Sequence, residues 1–177
     1  SVWMTSMHTV DYYPNIFVTG NMILWDTFAQ LFISPTIYNA VIGTDRISPF
    51  CPATNFKDVP LASCQANYDD YAEWCDENGF FNLWETAGVI MSGQAMYALW
   101  EALEIAGEAD PEKINDALRD LVIPYDSPHF IMPSLYPAVE WNSNGTLKNS
   151  FLFVLGLVDG ETKIVYPDEW KQADPQW

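Results

Sequence analysis

The rhythm of apolar and polar positions changes several times along the chain. Ile16 to Thr19 is a short apolar run that predicts a buried strand. From Ile23 to Phe32 the apolar positions Ile23, Leu24, Phe28, Leu31 and Phe32 recur at helical spacing, and Ser34-Pro35 ends the run. Tyr38 to Thr44, centred on Val41 and Ile42, predicts a second strand. Strand, helix, strand is the order of a parallel sheet with a crossover helix, so the chain reads as α/β. Residues 1–14 read as irregular, or as the tail of an element whose start is missing.

Ser48 to Ser63 carries Pro49, Pro52 and Pro60 and predicts a crossing loop rather than an element. Gln65 to Glu77 predicts an acidic helix with Tyr68, Tyr71, Ala72 and Cys75 on one face, stopped by Asn78-Gly79. Glu85 to Ala106 is the strongest helical pattern. Val89, Ala95 or Met96, Leu99, Trp100, Leu103 and Ala106 form its expected inward stripe, with Gly107 as the cap. Asp110-Pro111-Glu112 has all the parts of a helix start: a capping carboxylate, proline at the first position and an acid in the first turn. Ile114, Ala117, Leu118 and Leu121 make that helix's expected buried face. Pro124 to Pro137 reads as irregular, Ala138 to Trp141 as a short strand, and Asn142 to Gly145 as a turn. Phe151 to Val158 and Thr162 to Tyr166 flank Asp159-Gly160-Glu161, a hairpin signal. The last ten residues are polar or proline-containing and are expected on the surface. No internal repeat or low-complexity tract interrupts the series.

Charge narrows the function. Twenty-four acidic side chains stand against seven basic ones, a formal charge of -17 in 177 residues. Such a surface repels phosphate and anionic headgroups, which excludes nucleic acid as a partner and argues against an anionic lipid surface. Aromatics at 15% and eight Trp point to a folded core rather than a solvated tail. A core of this kind under an acidic skin suits a saline habitat, where salt screens the self-repulsion. The longest apolar stretch, Phe151 to Val158, is of strand length, well short of the ~20 residues a membrane span needs. Ala87 to Gly107 is interrupted by Gln94, Glu101 and Glu104 and reads as a buried amphipathic helix. No signal peptide opens the sequence, so any targeting segment is expected to be removed or to lie outside it.

Candidate chemistry is sparse. Gly20 and Asn21 sit where the first strand stops, the place where open α/β sheets hold their ligands, or they are a plain strand-to-helix turn. Trp84 and Glu85 precede the long helix. They offer an aromatic face and a carboxylate for an ammonium group, or simply a first-turn acid favoured by the helix dipole. Asp45-Arg46 is a hinge ion pair or exposed charge. Cys51 and Cys64 are disulfide candidates across a proline-rich loop if the protein is exported, and otherwise buried thiols. Cys51, Cys64 and Cys75 lack the partners and spacing of a zinc site, and no cofactor is expected. His8 and His129 lie beside no obvious nucleophile, and no GxSxG, HExxH or phosphate-loop pattern occurs. Asp69, Asp70, Glu73, Asp76 and Glu77 lie along a helix without a calcium-loop glycine, so they read as a solvated face. Asn144-Gly145-Thr146 is a glycosylation sequon by letter.

The second half of the chain carries an ordered series. Ala95-Met-Tyr-Ala-Leu-Trp-Glu-Ala-Leu-Glu-Ile-Ala-Gly107 precedes Asp110-Pro-Glu-Lys-Ile-Asn-Asp-Ala-Leu118. Val139-Glu-Trp-Asn-Ser-Asn-Gly145 follows, then a strand, Asp159-Gly160, a strand, and Val165-Tyr-Pro-Asp-Glu-Trp170. This order resembles the end of the type I periplasmic binding proteins, the extracytoplasmic receptors of branched-chain amino acid and amide ABC transporters. Asn142 departs from the pattern, standing where an acid is common. The likeness covers about residues 84 to 170 well and 15 to 60 more loosely. It implies Rossmann-like parallel sheet portions from two lobes, incomplete in this chain. Residues 1–48 would be part of one lobe, 49–135 the crossing loop and helices of the other, and 136–177 the return strands, hairpin and tail.

That family usually has about twice this length. The resemblance implies either a fragment or a fold that another chain completes. It also implies a non-enzymatic, periplasmic or extracellular solute-binding protein, anchored or free. Such a protein holds an amino acid or amide at Gly20, Asn21, Trp84 and Glu85 and delivers it to the membrane permease of an ABC transporter. The alternative is a structural or assembly subunit on the same half-fold, completed by another chain that covers its exposed core. A hydrolase using paired carboxylates is the least favoured reading.

Overall fold

A computed structural model describes residues 2–12, 16–18, 48–84, 87–159 and 161–175. They belong to two compact units, one formed by residues 1–53 and 153–177 and the other by 54–152. The chain therefore passes between units twice, at 53–54 and at 152–153. Helix and strand are mixed throughout, which is broadly α/β.

The first unit holds a helix, α1 (Val2–Thr9), and a four-stranded sheet in the order β1-β2-β5-β6. β1 (Ile16–Val18) runs parallel to β2 (Ser48–Ala53), with Ile16 opposite Ser48 and Val18 opposite Phe50. β5 (Phe153–Val158) is antiparallel to β2, and β6 (Glu161–Tyr166) is antiparallel to β5. The expected β5–β6 hairpin is present, and Asp159 takes the left-handed conformation, φ 52°, that its tight turn requires. Phe153, Leu155 and Ile164 are fully buried.

Residues 2–9 form a helix, which fits the second of the two readings of this stretch, the tail of an element. Two expectations are corrected in this unit. Ser48–Ala53 is a strand, not the start of a crossing loop, despite Pro49 and Pro52. These prolines are three residues apart, so their missing N–H groups fall on opposite sides of the strand and neither neighbour loses more than one bond. The C-terminal residues do not simply run over the surface. Trp170 is buried, edge-on to Phe153 at 5.7 Å, and Gln172 pairs with both main-chain groups of Ile164. The expected helix at 23–32 and strand at 38–44 lie outside the described residues.

The second unit is built on three helices, α2 (Ala62–Asn78), α3 (Ala87–Ala106) and α4 (Pro111–Asp120). α2 ends at Gly79, whose φ of 69° lets the Phe80 N–H reach the Cys75 carbonyl. α3 ends in the same way at Gly107, φ 71°. α4 starts as the sequence predicts: the Asp110 carboxylate accepts from the N–H groups of Glu112 and Lys113, and Pro111 opens the first turn. Ala117 in the helix and Leu121 just past its end are buried, with Ile114 and Leu118 half-buried. A two-stranded ladder joins β3 (Ile123–Pro124) to β4 (Ala138–Val139).

The inward stripe expected on α3 is corrected. Its buried positions are Ile90, Gln94, Ala98 and Ala102, one per turn. Met96, Leu99, Trp100 and Leu103 are exposed, Met96 at 65% and Trp100 at 58%. Against the buried ridge lies the segment Phe130–Leu135, every residue of which is buried. Pro133–Leu135 form a single 3-10 turn, whereas residues 130–132 are irregular and the N–H groups of Ile131 and Met132 take a side-chain partner. Gln94 supplies it. Its side-chain oxygen accepts from Ile131 N (2.9 Å) and Met132 N (3.1 Å), and its amide nitrogen donates to the His129 carbonyl (3.0 Å). Small residues on α3 allow the close approach: a Cβ added at Gly93 would lie 2.8 Å from Ile131 Cδ1.

Candidate functional site

An open cleft of about 590 Å³ lies in the second unit where the first half of α2, the middle of α3 and the loop 125–129 meet. This is within the ~300–1,000 Å³ range of small-molecule sites. Pro60, Leu61 and Pro128 supply apolar wall, and Asn67, Asp70, Tyr97, Tyr125, Asp126 and His129 supply the chemistry.

Each element fixes part of this wall. Asn67 projects from α2 and donates to Ser63 O (2.8 Å) and Pro128 O (2.9 Å), tying the helix to the loop. Ser63 Oγ donates to the Tyr125 carbonyl at 2.7 Å. From α3, the Tyr97 hydroxyl donates to Asn67 Oδ1 at 3.3 Å. The Tyr97 ring stacks on His129 with centroids 4.6 Å apart and planes 17° apart. One turn further along α3, Glu101 Oε1 lies 2.6 Å from His129 Nδ1, and each side chain is 29% exposed. An ionised carboxylate only accepts, so this contact puts a proton on Nδ1. Gln94 holds the main chain of His129 from the other side. The result is an imidazole held by Tyr97 and Glu101 on a main chain held by Gln94, and a tyrosine whose ring and hydroxyl are both engaged.

A second, different surface runs along α3. Met96, Leu99, Trp100 and Leu103, with Gly93, Tyr97, Glu104 and Gly107, line an apolar groove of about 780 Å³. The Trp100 indole N–H donates to Glu104 Oε1 at 2.7 Å, which orients that ring. Tyr97 borders both the groove and the cleft.

Of the residues singled out in the sequence, Gly20, Asn21, Glu85, Asp45 and Arg46 lie outside the described residues. Trp84 is a core side chain, 5% exposed, with ring contacts to Tyr68 at 6.0 Å and Tyr71 at 5.5 Å. Its carbonyl accepts from Asn55 Nδ2 at 3.4 Å. Cys64 is a free, buried thiol, 3.7 Å from the Phe130 carbonyl, the second of the two readings given for it. Burial pushes the Cys64 thiol up to about 12, so it stays protonated and unreactive at neutral pH. Cys75 is likewise free and buried.

The cleft residues escaped the sequence reading for two reasons. Asp70 belongs to an acidic run whose bulk is a solvated helix face. Tyr97 and His129 are 32 residues apart in sequence and share no motif. The one available signal was His129 itself, a lone histidine in an irregular, proline-rich stretch.

Among the described residues no group of His, Cys, Asp and Glu is placed to hold a metal ion, and no helix is long and apolar enough to cross a membrane. The chain matches no known family model and no curated protein.

Proposed function

We propose that this chain is an extracytoplasmic solute-binding protein of an ABC-type uptake system. It holds a small polar solute, an amino acid or amide in the first instance, without breaking a bond, and presents the loaded form to a membrane permease. The observation that carries the reading is the cleft of about 590 Å³ with its fixed polar and aromatic wall. The helix end at Gly107, the Asp110 cap and the hairpin at Asp159 follow the ordered series that suggested the family, and they support it. The two passages of the chain between its units support it too. The finer fold, Rossmann-like parallel sheets in two lobes that close by a hinge, is part of this proposal. So are ligand roles for Gly20, Asn21 and Glu85 and a hinge role for Asp45 and Arg46.

The test is ligand-observed saturation-transfer NMR with a set of amino acids, amides and amines. One chemical class is expected to bind saturably. Tyr97→Ala is expected to weaken that binding at least tenfold while the circular dichroism spectrum is retained. No binding by any class refutes the reading.

One observation favours a second reading, an assembly subunit completed by another chain. The apolar groove on α3 and the exposed pair Trp74–Phe80, stacked at 5.2 Å, are the kind of surface that a partner covers. Sedimentation velocity separates the two: a monomer that binds solute favours the first, and a concentration-dependent oligomer lost in Trp100→Ala favours the second.

A further inference from the structure

We infer that the cleft selects an organic cation, an ammonium group carried on a short apolar stem. This rests on the reading of the cleft as a solute site and names the chemical class that it takes. Asp70 and Asp126 line the cleft, and among the described residues that line it there is no Lys or Arg. The one basic group among the described lining residues, His129, is tied through Nδ1 to Glu101. The side-chain donors of Asn67, Ser63 and Tyr97 are also engaged. Both Asn67 N–H groups reach main-chain carbonyls, the Ser63 hydroxyl donates to Tyr125 O, and the Tyr97 hydroxyl donates to Asn67 Oδ1. A solute headed by a carboxylate meets two carboxylates and none of these donors is open to it. A solute headed by an ammonium meets open acceptors.

The rest of the wall matches the same class. Tyr97 and Tyr125 bring aromatic rings, whose electron-rich faces attract a desolvated cation. The Tyr97 ring is already fixed by His129 and Asn67, so little order has to be imposed on binding. Pro60, Leu61 and Pro128 give an apolar surface to the stem. The charge of -17 on the whole chain raises the local concentration of any cation and speeds its capture.

The experiment uses the full chain, isothermal calorimetry and four probes: choline, its neutral isostere 3,3-dimethyl-1-butanol, leucine and acetamide. Choline is expected to saturate at one site, with the isostere at least tenfold weaker. Asp70→Asn with Asp126→Asn is expected to weaken choline about tenfold or more. Asp116→Asn on α4, which removes one charge away from the cleft, leaves it unchanged. Choline that fails to bind while leucine or acetamide binds overturns the cation inference and leaves the solute-binding reading standing. Choline affinity equal to that of the isostere, or lost equally in Asp116→Asn, overturns it as well. Silence from all four probes removes both readings. If the double variant does not fold, the comparison of choline with its isostere on the unaltered chain decides alone.

Discussion

On one side of α3, Ile90, Gln94, Ala98 and Ala102 are buried; on the other, Met96, Leu99, Trp100 and Leu103 face outward. The larger and more apolar side chains are on the open side. The buried side carries two alanines and an amide. Hydrophobicity alone does not order the faces in this way. Close approach does, because the buried face meets the irregular main chain of 129–132, which has to be reached at hydrogen-bonding distance. Gly93 allows the contact and Gln94 completes it. The open face has no such partner among the described residues, and it is the surface on which the assembly reading depends.

Substitutions on the two faces sharpen this contrast. The largest effect is expected at Gln94. Gln94→Ala leaves two buried N–H groups and one carbonyl without partners, and the loss is expected to be about 3 kcal/mol or more in urea unfolding. A loss under about 1 kcal/mol would mean that water replaces the amide. Ala102→Leu comes next. Ala102 is fully buried, and forcing three more carbons against the core costs about 1–3 kcal/mol. Trp100→Ala, on the open face, is expected to change the stability of the monomer by no more than about 0.5 kcal/mol. A loss of about 2 kcal/mol or more would show that this ring is packed rather than open. Thermal or urea unfolding reads all three.

The smallest effect is expected far from α3. Glu140 accepts from Lys148 Nζ at 2.8 Å and Asn149 Nδ2 at 2.9 Å, and these bonds hold its carboxyl below the usual carboxylate value of 4.5. A folded-state value below the unfolded one contributes stability above about pH 4.5, and this is lost as the pH falls further. Glu140→Gln is therefore expected to be slightly less stable than the parent at pH 7 and indistinguishable from it near pH 3. The group is on the surface, so the gap at pH 7 should narrow in high salt.

What the sequence made legible was local. The cap at Asp110-Pro111, the left-handed glycines 79 and 107 and the Asp159 turn each depend on residues within one turn of the chain, and each formed as expected. α3 was legible as a helix but not in its orientation. It is apolar almost all round, so periodicity gave no phase. The decision came from a segment 35 or more residues away in sequence. β2 was hidden because two prolines mimic a loop, while the sheet tolerates them one to a side. Trp84 shows the opposite error: an aromatic before a helix suggested a platform, and the tyrosines of α2 enclose it in the core. The cleft was illegible for the same reason as the phase of α3. Asn67, Tyr97 and His129 come from three elements, and only the tertiary hydrogen bonds bring them together.

The same pair of surfaces gives the most direct test of the solute-binding claim. In a two-dimensional NMR titration with a solute found to bind, the Asn67 side-chain amide, the Asp126 amide and the His129 ring are expected to shift and saturate together. The Met96 and Leu103 methyl groups, on the open face, are expected to stay in place. Shifts confined to Met96 and Leu103, with Asn67 and His129 unmoved, would contradict the claim and assign binding to the apolar groove instead.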